Sequence, residues 1–171
     1  IAGPLSRSAA ASLRLPTGIP VIVAGGDAAV AAFGAGATDP ATPLVMLSTG
    51  CQALQPTVAM PERDVWPSAN PIGLPRWLRV ATPLSGGNVV DWARATLGEP
   101  APGADPDVTF LPYLAGERSA NLNSDASGAF VGLRARHDRA AMARAAIDGV
   151  SLALADAFAR VGGDTGIDAP M

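Results

Sequence analysis

The sequence predicts a mixed α/β domain that is incomplete at its C-terminal end, and three observations carry that expectation. A β-branched run over residues 19–24 is followed, after Gly25 and Gly26, by the small-residue stretch 28–36, the pattern of a buried strand feeding a helix. Three more strand-like runs, 44–49, 52–58 and 77–82, succeed one another without an intervening helix, which predicts an antiparallel three-strand meander within a mixed sheet. A long amphipathic helix over 138–161 then closes the pattern. A strand is expected after such a helix, and no such run follows before Met171.

In order, the chain opens on a helix over 6–15, stopped by Pro16, Thr17 and Gly18. The buried strand 19–24 breaks at Gly25-Gly26-Asp27. Gly50 predicts a tight turn between 44–49 and its hairpin partner 52–58. Residues 59–76 are proline-rich and read as irregular. After strand 77–82, Ser85-Gly86-Gly87 precedes a helix over 88–97. A proline loop over 100–107, a brief strand over 108–111 and a polar loop over 115–127 lead to the last helix. There Ala143, Ile147, Val150, Leu154 and Phe158 share one face at spacings of three and four, while Arg139, Arg144, Asp148, Asp156 and Arg160 fall mainly away from it. Gly162 and Gly163 end it.

Composition excludes several classes. With 49% hydrophobic and 16% charged residues the chain can bury a core and is not a disordered tail. Its 19 glycines and 16 prolines lack the three-residue period of collagen. About a fifth of the residues are alanine, so the core is filled by close backbone approach as much as by large side chains. The net charge of −3, with scattered arginines outnumbered by carboxylates, argues against nucleic acid as a partner. All 12 cations are arginine, which excludes a phosphate loop built on lysine. No apolar run reaches membrane-spanning length, so no membrane partner is expected. A single cysteine, Cys51, forms no internal disulfide and fits a cytoplasmic location.

Asp27 is the sharpest candidate for chemistry. Just past a strand, behind two glycines and at the mouth of a helix, its carboxylate can accept a proton from a substrate hydroxyl, or it can simply cap the helix. Ser48-Thr49-Gly50 can hold phosphate oxygens with backbone N–H groups and hydroxyls, or be a plain hairpin turn. Ser85-Gly86-Gly87 offers a second anion-binding helix start, or another turn. Cys51 reads as a buried, inert thiol. Glu117 and Arg118 read as a solvated ion pair in a loop. His137, the only histidine, lies too far from Cys51 to support a zinc site or a histidine-based triad. Magnesium held by Asp27 and substrate phosphates stays open, since that ion needs only one or two carboxylates.

Several of these pieces, in their order, carry a resemblance. They are Gly18-Ile19-Pro20-Val21-Ile22-Val23-Ala24-Gly25-Gly26-Asp27, Leu47-Ser48-Thr49-Gly50, Pro112-Tyr113-Leu114-Ala115-Gly116-Glu117-Arg118-Ser119, Gly128-Ala129-Phe130-Val131-Gly132-Leu133 and the helical run Ala145-Ala146-Ile147-Asp148-Gly149-Val150-Ser151-Leu152-Ala153-Leu154. Together they resemble the C-terminal half of FGGY-family carbohydrate kinases of the xylulokinase-like kind. The resemblance implies a lobe of the actin-like, ribonuclease-H-like ATPase fold, with 1–18 as the end of a first lobe or connector and 19–171 as part of the second. It implies ATP and Mg2+ as cofactors and a sugar as substrate, xylulose first, with gluconate, ribulose or glycerol as alternatives. Asp27 then matches the catalytic base and a sugar contact, with Ala28 at the next substrate position. Thr49 and Gly50 match the phosphate turn, and Gly87 and Asp91 lie near the nucleotide. The first lobe becomes the essential partner, a homodimer is a further expectation, and the isolated chain is expected to be inactive.

Three departures bear on the sugar. Ala28 stands where asparagine is common, Ser119-Ala120-Asn121 where Thr-Pro-His is common, and Ser127 where arginine is usual. A non-catalytic actin-like binding module is the competing reading. An unrelated α/β domain in which Asp27 is only a cap is the third.

Overall fold

The computed structural model describes residues 2–23, 25–61, 65–70, 75–100, 107–118 and 123–162. Its first helix, α1 (Arg7–Leu13), starts where Ser6 Oγ accepts the Ala9 N–H at 3.3 Å and stops at Arg14, whose φ of 55° ends the helix. Flanking it, β1 (Gly3–Pro4) and β2 (Pro20–Val21) pair antiparallel, with Gly3 opposite Val21. This corrects the expected buried strand over 19–24. A strand is buried only when layers cover its faces, and among the described residues β1 alone lies beside this one. Ile22 and Val23 are accordingly 71% and 75% exposed.

The next helix, α2 (Asp27–Gly34), leads into a four-stranded antiparallel sheet of β3 (Leu44–Leu47), β4 (Cys51–Thr57), β5 (Trp66–Ala69) and β6 (Trp77–Ala81), in the order β3-β4-β6-β5. The predicted meander is therefore present as β3-β4-β6. β5, inside a stretch expected to be irregular, adds an edge strand. All strand pairs in the described residues are antiparallel, where the sequence predicts a mixed sheet. Proline in β4 is tolerated because of its position. Pro56 lies beyond the last β3 pairing, Leu44 with Leu54, so its missing N–H removes no ladder bond to β3.

Side chains alternate between two faces, and each face collects its own helices. On one, Leu54, Leu78 and Val80 form a buried cluster with Ala29, Ala32 and Ala37, against which Ala28, Leu44 and Met46 pack; this is the face of α2. On the other, Ala53 and Ala81 meet Ala157 of α4 (Arg139–Arg160) and Val161, its C-cap, and Cys51 meets Val89 and Ala93 of α3 (Gly87–Leu97). A hairpin of β7 (Thr109–Leu111) and β8 (Ala129–Val131) extends this second layer. Its Phe110 stacks on Trp92 at 5.6 Å and meets Phe130 at 4.6 Å.

α4 follows the predicted helix closely. Asp138 caps it, its Oδ1 accepting the Ala141 N–H at 2.8 Å. Arg144–Asp148 and Asp156–Arg160 form ion pairs one turn apart on the outer surface. Its most buried positions are small, however: Ala143, Ala145, Ala146, Gly149 and Ala157, beside Val150. A Cβ at Gly149 would stand 2.3 Å from Phe110 O, so the helix backbone rests directly on β7. Gly163, the second half of the predicted stop, lies outside the described residues. None of the described helices is long and apolar enough to cross a membrane.

Candidate functional site

The turn between β3 and β4 is built from its own backbone. The Ser48 N–H donates to Gly50 O at 2.9 Å, and the Ser48 hydroxyl donates to the same oxygen at 3.0 Å. α3 then docks onto this turn. The Gly87 N–H donates to Ser48 O at 2.8 Å and the Asn88 N–H to Thr49 O at 3.0 Å. Docking at this range needs glycine, since a Cβ at Gly86 would lie 2.5 Å from Gly50 C and one at Gly87 2.7 Å from Ser48 O. Asn88 Oδ1 accepts the N–H groups of Gly86 and Val89, both at 2.9 Å.

The start of α3 is therefore not the open anion-binding helix end that Ser85-Gly86-Gly87 suggests, because its first amides are spent on the turn and on Asn88. The turn itself remains available. The amides of Thr49 and Gly50 donate to no other backbone group among the described residues, and Thr49 is exposed. Two N–H groups and a hydroxyl in a tight bend are groups of the kind that can hold an anion.

Beside the turn a cavity of about 430 Å³ opens between α3 and α4, lined among others by Leu47, Ser48, Gly87, Asp91, Val150 and Leu154. Apolar walls with a few polar groups at one end suit a flat organic ring with a charged tail. Gly87 and Asp91, singled out from the sequence, thus lie at one pocket, and Thr49 and Gly50 belong to the turn that borders it.

Asp27 and Ala28 lie on the opposite face of the sheet. Gly26, not Asp27, is the N-cap of α2, so the capping reading takes a different form: Asp27 is the first helical residue, and its Oδ1 accepts the Ala28 N–H at 2.8 Å. The carboxylate is exposed, its other oxygen unengaged among the described residues. It is a fitting single ligand for a hydrated magnesium ion carried by phosphates. A dedicated protein cage is absent, since no group of three His, Cys, Asp or Glu side chains converges among the described residues.

Other candidates settle into structural roles. Cys51 is 1% exposed and burial raises its pKa above the ordinary 9.0, which suppresses the thiolate. Glu117 is 5% exposed rather than solvated, and Arg118 Nε donates to Thr82 Oγ1 at 3.2 Å, so the two do not form the expected solvated pair. His137 Nδ1 accepts the Arg134 N–H at 2.9 Å while its Nε2 and Arg136 both bond Asp107, fixing the approach to α4. Of the departures from the family pattern, Ser119-Ala120-Asn121 lies outside the described residues.

An antiparallel sheet faced by helices on both sides, with a tight turn at one end, defines a layered α/β domain. Residues 17–168 match the "FGGY family of carbohydrate kinases, C-terminal domain", so the chain belongs to that family. It is 35% identical over 155 residues to a xylulose kinase of Escherichia coli (strain K12), covering 81% of this chain and 31% of that protein. Among solved structures, a ligand-bound xylulose kinase from Lactobacillus acidophilus superposes with a TM-score of 0.78 at 27% identity, over 91% of this chain and 34% of that one. A gluconate kinase from the same organism superposes equally well, with a TM-score of 0.78 at 25% identity over 93% of this chain and 36% of that one. The fold is thus a lobe of the actin-like ATPase type, and the chain spans about a third of the length of these relatives.

Proposed function

We propose that the protein to which this chain belongs transfers the γ-phosphoryl group of MgATP to a sugar hydroxyl, with xylulose the proposed substrate. The observation that carries this reading is the 48–50 turn, whose unspent amides border the cavity holding Gly87 and Asp91, in a chain of the FGGY family. In this reading the adenosine part of the nucleotide lies against Gly87 and Asp91, and the amides and hydroxyl of Thr49 and Gly50 hold phosphate oxygens. Asp27 takes the proton of the sugar hydroxyl as that oxygen bonds to the γ-phosphorus. The bond from phosphorus to the β–γ bridging oxygen breaks, ADP leaves, and Asp27 returns its proton to solvent. Such a reaction depends on positioning and charge neutralisation more than on covalent chemistry, so the chain's task is to hold its groups still.

A magnesium ion, when bound, would be held by the nucleotide's phosphates with Asp27 as the protein carboxylate proposed to face it, and would supply charge neutralisation there. The first lobe, residues 1–18 marking its end, supplies the other wall of the site. The cytoplasm, where ATP and reduced thiols prevail, is the proposed location, and a homodimer the proposed assembly. Asp27→Asn in the full-length protein tests the reading. Turnover with xylulose should fall to background while ATP still binds, and surviving turnover would remove Asp27 from its role. Comparing kcat/KM for xylulose, gluconate, ribulose and glycerol decides the sugar. The gluconate-kinase likeness makes gluconate the second reading.

A further inference from the structure

The end of the sheet that bears the 48–50 turn carries a cation that the mechanism above leaves unused. β6 keeps its register with β4 beyond Ala81, since Ala53 pairs with Ala81 and the Cys51 N–H donates to Pro83 O at 3.2 Å. Thr82 therefore stands directly across from Gln52, and both fall on the Leu54–Val80 side of the sheet, the side of α2 and Asp27. Arg118 returns to this point from the loop after β7, its Nε donating to Thr82 Oγ1 at 3.2 Å. That bond fixes the root of the guanidinium. Its terminal nitrogens make no other hydrogen bond or ion pair among the described residues, and the residue is exposed. Across the ladder from Thr82, Gln52 Oε1 is buried without a hydrogen-bond partner among the described residues, and a native fold rarely leaves a buried acceptor orphaned unless another component completes it. Arg94, which also lies near the turn, is on the α3 side and pairs with Glu99.

We propose that Arg118, anchored by Thr82 and flanked by Gln52, is a phosphoryl-binding residue whose terminal nitrogens hold oxygens of the group in transfer between the 48–50 turn and Asp27. A planar guanidinium presents paired N–H donors that match phosphate oxygens, and in a chain without lysine only arginine can supply such a charge. Held by Nε alone, it keeps one terminal nitrogen for Gln52 Oε1 and the other for the phosphoryl group. Thr82 and Gln52 are positioning residues in this scheme.

The inference rests on the kinase reading, and steady-state kinetics of the full-length protein separate the two. If the wild-type protein forms no ADP with any of the four sugars, both fall. If it is active, Arg118→Met should lower kcat by roughly 100-fold, the scale of losing one transition-state donor, with the KM for sugar changed far less. Thr82→Val should give a smaller loss of the same kind. Guanidinium ion should restore part of the rate to Arg118→Ala, which a purely structural arginine would not allow. Should the methionine variant fail to fold, Arg118→Lys carries the decision, with a lowered kcat at near-normal KM expected. A kcat within threefold of wild type in Arg118→Met, or in Arg118→Lys where that variant stands in, overturns the assignment while leaving the kinase reading in place.

Discussion

Gly86 and Gly87 show how little freedom single positions have here. Each lies so close to the 48–50 backbone that one added carbon must push the helix off the turn. Gly86→Ala is expected to cost about 1–3 kcal/mol, the usual scale of overpacking, and to weaken nucleotide binding with it. Denaturant unfolding and ATP titration of the same variant check both effects. Two weak acids, Cys51 buried and Tyr113 half-buried, set a different limit. Burial raises the pKa of the Cys51 thiol above 9.0. Tyr113 is raised above 10.0 by burial first and by Glu117 and Asp156 next, against a lowering by Arg160. A folded pKa above the unfolded one means that the stability these groups confer is complete below the unfolded value and is lost as pH rises through the folded one. These two groups should therefore add no pH dependence to Tm below about pH 9 and lower it above, and Cys51→Ala should soften the onset of that fall.

α4 was legible because its apolar positions repeat with the helical period over many residues, and its cap and ion pairs sit where sequence spacing puts them. Asp138→Ala should cost about 1 kcal/mol, read from the denaturant midpoint. What the period could not reveal is that Ala145, Ala146 and Gly149 pack more deeply than Ile147 and Leu154, because burial there follows backbone approach to β7. β5 escaped notice because Pro67 and its flanking prolines speak against a strand, yet an edge strand can carry a proline. The run over 19–24 misled in the opposite direction, since β-branching signals extended backbone and says nothing of what covers it. Within the site, Asp27, the 48–50 turn and Gly87 were visible as local motifs. The spending of the α3 amides on Ser48 and Thr49, and the bond from Arg118 to Thr82 across 36 positions, join segments that no local pattern connects.

At the scale of the whole molecule, the exposed side chains Leu13, Leu15, Ile19, Ile22, Val23 and Phe33 give the N-terminal segments and α2 an apolar surface of the kind that self-associates. Expressed alone, the 171-residue chain should form concentration-dependent oligomers, and Ile22→Ser with Val23→Ser should reduce them, as light scattering would show. The same isolated chain should yield no ADP with MgATP and xylulose while the full-length protein does. One last consequence follows from the way α3 is moored. With the Gly87 and Asn88 amides tied to Ser48 and Thr49 carbonyls, the bend and the helix travel as a single rigid piece. A nucleotide that tugs on one must carry the other along, so slowed hydrogen exchange at these two amides would betray a ligand that touches neither of them.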